Sequence, residues 1–498
     1  MTHGTKKSDS AIVARMSTNN AAESRAAESM ERRAGTEGNT YQQSTHRSLS
    51  RARVSLALGR VRRTARAKKK ERFTALLHHI TIDLLRMSFD AMKRKAAPGA
   101  DGVTWKSYEA DVEDHLRDLH ARIHRGAYRV QPSRRVYIPK ADGRQRPLGI
   151  ASLEDKIVQR AMVAVLQSVY EEDFLGFSYG FRPKRSQHDA LDALIVGIGR
   201  RTVNWVLDMD IRDFFGTVNH DWMLRFVEHR IGDRRVVRLI RKWLKAGVLE
   251  DGVITGGEEG TPQGATISPL LANVYLHYVL DLWIQQWRKR HARGDMIVVR
   301  YADDCVMGFE HEADAQNFLQ DVRTRLAEFS LALHPDKTQL IEFGRHAATR
   351  RRMRGQKKPE TFTFLGFTLI CGRSRKGYFL IHRKTRGDRM RATLAHVKEE
   401  LRKRMHEPIP EQGRWLQQVT RGYFAYHAVP TNQRAIGAFR HHVMDLWRRA
   451  LSRRSQRGAL TWERIKKLSD DWLPKATILH PWPNQRFDVK HPRWEPSA

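Results

Sequence analysis

Two apolar-rich runs, Met296–Tyr301 and 305–309, are separated only by Ala302, Asp303 and Asp304. Short β-rich runs on either side of a tight break predict a β-hairpin with the acid pair near its turn. An Asp-Asp pair alone is most often a solvated turn. Here the apolar flanks draw the pair toward the interior, where unpartnered carboxylates are costly unless cations neutralise them. The chain must therefore bury this hairpin along its length and open its turn end onto a place that can hold positive charge.

A second acidic run narrows the reading. Trp205-Val206-Leu207-Asp208-Met209-Asp210 is a short apolar-rich segment ending in acid, read as a strand. It lies far upstream of the hairpin, so only folding can bring Asp210 beside Asp303 and Asp304. Strand alternation puts Asp208 on the same face as Asp210, and Asp213 follows closely, so periodicity alone does not choose among them. Acids gathered in this way suit phosphoryl transfer with two divalent cations about 4 Å apart, one acting on the attacking hydroxyl and one on the triphosphate. Hard oxygen donors favour Mg²⁺, which takes water and substrate phosphates as its remaining ligands. Adjacent acids on a turn point apart, so one would bridge the cations while the other supports the shell.

Charge indicates the partner. The 498 residues carry 90 Lys and Arg against 55 Asp and Glu, a formal net charge of +35. Such an excess favours polyanions through counterion release. The length calls for two or more domains. Cys305 and Cys371 are the only cysteines and form no Cys-x-x-Cys pair. Disulfide scaffolds and cysteine zinc sites are therefore not expected, and a reducing cytoplasm is. With no signal-like start and no long apolar run, a membrane role is not expected.

Residues 1 to about 70 are rich in Ser, Thr, Ala and Arg and end in a dense basic run; they read as mostly disordered, with a helix near 65–85. Ile157, Val158, Ala161, Met162, Val165 and Val169 recur at helical spacing, as do Phe318, Leu319, Val322, Leu326 and Phe329. Residues 345–358 hold seven Lys or Arg and no acid, between the apolar runs 340–343 and 362–367. Beyond about residue 385 the pattern turns helical and basic, and a domain boundary is expected there.

The wording of several segments is more specific. Tyr301-Ala302-Asp303-Asp304, the run Asp210-Ile211-Arg212-Asp213-Phe214-Phe215, and Thr261-Pro262-Gln263-Gly264 occur in the order found in reverse transcriptases. From about residue 85 to residue 480 the chain resembles the reverse transcriptase/maturase proteins encoded by bacterial group II introns. Pro98-Gly99-Ala100-Asp101-Gly102-Val103 is similar to the family's opening fingers motif, and Tyr137-Ile138-Pro139-Lys140 with Arg146-Pro147-Leu148-Gly149-Ile150 to the next. Phe177-Ser178-Tyr179-Gly180-Phe181-Arg182-Pro183 resembles the stretch before the palm. The resemblance implies an α+β right-hand polymerase. Its parts would be a disordered basic extension (1–70), fingers and a palm with an antiparallel sheet (71–385), a helical thumb or maturase domain (386–480) and a Trp/Pro-rich tail (481–498).

The resemblance also implies roles. Asp210, Asp303 and Asp304 match catalytic residues that hold two Mg²⁺ ions. Phe215 matches a ring beneath the incoming sugar, where it would collide with a 2′-hydroxyl and favour deoxynucleotides. Gln263, Lys140 and Arg146 match the nucleotide pocket, the two cations facing the triphosphate. Lys337 is similar to the lysine that protonates the pyrophosphate leaving group. Phe364, Leu365 and Gly366 resemble the turn that grips the primer end. Arg421, Tyr423 and Tyr426 fall in a segment similar to the RNA-binding thumb. Implied partners are group II intron RNA, an RNA template with a DNA primer, deoxynucleoside triphosphates and target DNA, in the cytoplasm and at the nucleoid.

One departure stands out. Many relatives continue into a His-Asn-His endonuclease with cysteine-bound metal, which two isolated cysteines do not support; the primer is then expected from a nick or replication fork. Alternatives to an active enzyme that also assists intron splicing are a non-catalytic RNA-binding splicing factor and a domesticated relative in defence or repair. An RNA-dependent RNA polymerase is a weaker alternative, disfavoured by Phe215 and by the Ala before the acid pair.

Overall fold

The periodicities above resolve into helices and three sheets in a computed structural model, which describes residues 37–139, 145–250, 253–255, 260, 264–454 and 460–491. The chain divides into two units, residues 1–55 and 56–498. The described part of the first is the opening of a polar, basic helix, Glu37–Ala67. Residues 1–36 of the expected disordered extension lie outside the described residues, and its second half contains this helix. All the strands, and every other described helix, belong to the second unit.

The helix expected near 65–85 does not form as such. The chain leaves the helix at Ala67 and, apart from a single 3-10 turn at Leu77–His79, re-enters one only at Ile82, where Thr81 caps Leu84 N at 3.2 Å. Between them, tertiary partners satisfy the backbone in place of a helical ladder. Arg230 donates to the carbonyls of Ala65, Lys68 and Glu71, and Asp233 accepts from the N–H groups of Leu76 and Leu77 at 2.9 and 3.0 Å. Long-range hydrogen bonds have overridden local propensity.

The described strands are β1 (Ser133–Pro139), β2 (Gln145–Ile150), β3 (Trp205–Met209), β4 (Val248–Glu250), β5 (Val253–Thr255), β6 (Met296–Tyr301), β7 (Asp304–Phe309), β8 (Gln339–Glu342), β9 (Phe362–Phe364), β10 (Phe367–Arg373) and β11 (Phe379–Thr385). They form sheets ordered β2-β1-β4-β5, β6-β7-β3-β8 and β11-β10-β9. The second sheet is antiparallel throughout. Both its faces are covered, which is why its strands read as nearly continuous apolar runs. On one face, Val206, Val299, Val306 and Ile341 pack with Leu191 and Leu194 of the helix Gln187–Arg200, and this core continues into Phe364, Phe367 and Leu369 of the third sheet. On the other, Phe309 meets Phe318 of the helix Glu312–Ala327 at 5.4 Å between ring centroids. The expected helix around Ile157 is Leu153–Tyr170, with all six named apolar positions buried.

Strands stop at Thr385, and helices Gly387–Lys403, Ile409–His427, Gln433–Ser452 and Trp462–Trp472 follow. They share a core of Val397, Leu401, Leu416, Phe424, Phe439 and Trp447. The indole of Trp447 donates to buried Gln412 at 2.9 Å, so even its polar edge is satisfied. The mixed helix-and-sheet architecture is the one anticipated.

The region expected to be a Trp/Pro-rich tail contains a helix, Pro483–Lys490, laid against Gln187–Arg200. Three ion pairs join them: Arg200–Asp488 at 2.7 Å, Lys490–Asp189 at 2.7 Å, and Arg486–Asp192. Asp192 is buried and also faces Arg383 of β11 at 3.4 Å. Removing this shared acid strands two cations in low dielectric. Asp192→Ala should therefore lower unfolding free energy by about 3–5 kcal/mol, read from denaturant midpoints, whereas Asp488→Ala on the exposed side should cost well under 1 kcal/mol.

Candidate active site

Register brings the acids together. Met209 of β3 pairs with Cys305 of β7, so Asp210, the next residue, falls level with Asp304, which pairs across the hairpin with Tyr301. Ala302 and Asp303 form the two-residue turn, and Ala302 takes a left-handed φ of 59°. The turn presses on Gly180, where a Cβ would sit 2.3 Å from the Ala302 nitrogen. Only glycine fits there.

Arg300 holds this turn from beneath. Its guanidinium is fully buried and pairs with Asp281 through two contacts of 2.6 Å. It also donates to the Ala302 carbonyl at 2.9 Å, to Asn273 Oδ1 at 3.1 Å and to Ser178 Oγ at 2.7 Å. Asn273 in turn donates to the Gly180 carbonyl at 2.7 Å. Asp281 ends a π-helical turn, His277–Asp281, set between the helices Ser268–Leu276 and Leu282–Arg290. Sequence reasoning missed this group. Its signal was a lone arginine inside an apolar strand and a lone aspartate inside an apolar helix.

The acids crowd one another. Asp304 is open to solvent along one edge, yet surrounding protein strips enough water to raise its pKa to about 6, with Asp303 and Asp210 adding repulsion. Asp208, half-buried, is pushed up to about 7 by desolvation and then by Asp304 and Asp210. It thus joins the cluster as a fourth acid. Opposing them, Lys337 Nζ stands 2.6 Å from Asp210 Oδ2. The loop that carries it is tied to the same acid, since the Asp210 carbonyl accepts from His334 N at 2.8 Å and Ile211 bridges Leu333. Among the described residues no group of three or more His, Cys, Asp or Glu is by itself placed to hold a metal ion. The arrangement is an open edge of hard oxygen donors that repel one another and are partly offset by Lys337. That suits a divalent ion whose shell is completed by water and phosphate.

Of the other anticipated residues, Phe215 is half-buried in the single turn Phe214–Thr217, edge-on to Phe214 at 5.3 Å. Lys140 and Gln263 lie outside the described residues, and so does the side chain of Arg146, whose backbone pairs with Ile138. Leu365 and Gly366 form the β9–β10 turn with φ of 46° and 81° beside buried Phe364. Tyr426 donates to the Leu365 carbonyl at 2.6 Å, so the helical lobe clasps this turn. Tyr423 is buried and stacked on Phe439 at 3.5 Å, which places its ring in the thumb core, away from the surface; Arg421 is exposed.

An antiparallel sheet with acids at one end, a strand-bearing lobe before it and a helical lobe after it define the right hand of a template-directed polymerase. Residues 138–369 match the family described as reverse transcriptase (RNA-dependent DNA polymerase). The chain is 35% identical over 312 residues to protein YkfC of Escherichia coli K12, covering 56% of this chain and 77% of that one. It is 32% identical over 238 residues to the group II intron-encoded protein LtrA of Lactococcus lactis, covering 47% of this chain and 39% of that protein. Over 144 residues it is 31% identical to nuclear intron maturase 3 of Arabidopsis thaliana, covering 28% of this chain and 19% of that protein. The chain belongs to the group II intron type of reverse transcriptase/maturase, and is an RNA-directed DNA polymerase. No described helix is long and apolar enough to cross a membrane.

Asp281→Leu alone leaves Arg300 buried and unpaired and should cost about 3–5 kcal/mol, while Asp281→Leu with Arg300→Met should recover much of it; denaturant melts of the three proteins decide. The raised pKa values of Asp304 (about 6) and Asp208 (about 7) mean that the native state holds protons the unfolded chain has released. Their contribution to stability therefore falls as pH rises from about 4 to about 7. In chelator, Asp208→Asn should flatten that decline, and a divalent ion should raise the melting temperature more at pH 8 than at pH 5.

Proposed function

We propose that this chain copies RNA into DNA at Asp210, Asp303 and Asp304 using two Mg²⁺ ions, and that it binds group II intron RNA to assist splicing and mobility. The observation that carries the chemistry is the convergence, at one sheet end, of carboxylates that repel one another, with Lys337 ion-paired to Asp210. When bound, the ions would lower the pKa of the primer 3′-hydroxyl and neutralise the triphosphate.

The residues do the rest. Asp210 and Asp303 would supply oxygens to the ions, and Asp304 and Asp208 would add charge behind them. Lys337, ion-paired with Asp210 at the cleft, is placed to give a proton to the departing pyrophosphate. Phe215, five residues past Asp210, would exclude a 2′-hydroxyl, and the motifs holding Gln263, Lys140 and Arg146 assign those residues to the nucleotide. The β9–β10 turn supports the primer end, and the basic helices beyond residue 385 follow the duplex. The relatives named for introns support the intron RNA partner.

Primer extension on an RNA template with deoxynucleotides and Mg²⁺ tests this reading. Asp303→Ala should abolish product. Lys337→Ala should lower kcat by roughly 10²- to 10⁴-fold with little change in KM, and Lys337→Arg should recover part of the loss. Extension retained by Asp303→Ala would overturn the assignment.

A further inference from the structure

A basic recess lies at the opposite end of the palm sheet from the acids. Trp205, which begins β3, pairs with Glu342, and the chain then enters Gly344, Arg345 and His346. At ~3.3 Å per strand residue this end stands roughly 20 Å from Asp210. The cleft there has a volume of about 410 Å³ and is lined by Arg345, His346, Thr349, Cys371, Arg373 and Tyr378, among others. Its walls are the short helix Ala347–Met353 and the turn joining β10 to β11. Gly344 also lines it; a Cβ there would lie 2.0 Å from the Val203 carbonyl oxygen, so only glycine lets this wall pack against that strand end.

The charges divide into two sets. Arg350 and Arg354 pair with Glu342, and Arg351 lies 3.8 Å from Glu360, so these cations anchor the helix. Arg373, Arg375 and Lys376 are exposed, and their side chains make no hydrogen bond or ion pair with any described residue. Of these, Arg373 lines the cleft together with Tyr378, which is 72% exposed, while Arg375 and Lys376 stand on the adjoining β10–β11 turn. Catalysis at the acids uses none of these groups. Free cations around an open aromatic ring are the chemistry that holds unpaired nucleotides, the ring stacking a base and the cations meeting its phosphates.

We propose that this rear cleft binds an unpaired, phosphate-flanked nucleotide of a structured RNA, with the base on Tyr378, one phosphate on Arg373 and a flanking phosphate on Arg375 of the adjoining turn. It would hold the RNA to the palm while the opposite end of the sheet handles the primer. The inference rests on the reading of intron RNA as a partner. A duplex keeps its bases stacked inside, so the site discriminates loops from stems.

The test uses the full chain and equilibrium binding to two RNAs, a hairpin with an adenine-rich loop and a blunt duplex of equal length. Tyr378→Ala should weaken loop binding by roughly tenfold or more and leave duplex binding nearly unchanged, and Tyr378→Trp should restore it. Changing Arg373 and Arg375 together to Gln should reduce the slope of log affinity against log salt by about 1.4 on the loop RNA. All variants should extend a short primed oligonucleotide at the wild-type rate. Unchanged loop affinity in Tyr378→Ala, or an equal loss on both RNAs, overturns the proposal. Failure of the wild type to extend a primer would instead count against the copying mechanism, since the binding readout does not depend on it.

Discussion

A charged pair shut away from water, Arg300 with Asp281, fixes the geometry on which the catalytic end depends. Burying two ions brings little net stability, because desolvation consumes most of their attraction. What it yields here is position. Four carboxylates of like charge would spread apart if the turn carrying two of them were free to move. Arg300 grips the carbonyl of Ala302, the strained residue of that turn, and through Ser178 and Asn273 ties it to the stretch that ends in Gly180. The repulsion is then held as negative potential at the mouth of the cleft.

That end also joins the lobes. Lys337 reaches Asp210 from the loop before β8, and Tyr426 reaches the Leu365 carbonyl from the helical lobe. The Tyr426 hydroxyl and the Arg386 N–H thus couple the helical lobe to the β9–β10 turn, and the Lys337 ammonium and the His334 N–H couple the loop to Asp210.

The strands bearing the acids were legible because apolar runs broken by acids leave few alternatives. The helices Leu153–Tyr170 and Glu312–Ala327 were legible from the spacing of their buried residues. The region 68–81 was not, because Arg230 and Asp233, some 150 residues away, supply its backbone partners. Helical spacing carries no record of such bonds. Asp208 could be named as a competitor but not placed, since alternation treats it and Asp210 alike. Tyr423 shows the converse limit: an aromatic in a basic helix reads the same whether it faces RNA or, as here, Phe439.

The helix Pro483–Lys490 gives the unit a timetable. Asp192 meets Arg486 only 294 residues later in the chain, and Asp189 meets Lys490 only 301 later. At about 5–20 residues per second a ribosome takes roughly 15 to 60 seconds to deliver those partners. Arg383 becomes available to Asp192 sooner, but until the end of that interval the helix Gln187–Arg200 lacks Arg486 and Lys490. A nascent polymerase thus lacks its closing buckle until the helices Gly387–Lys403 to Trp462–Trp472 have already been synthesised.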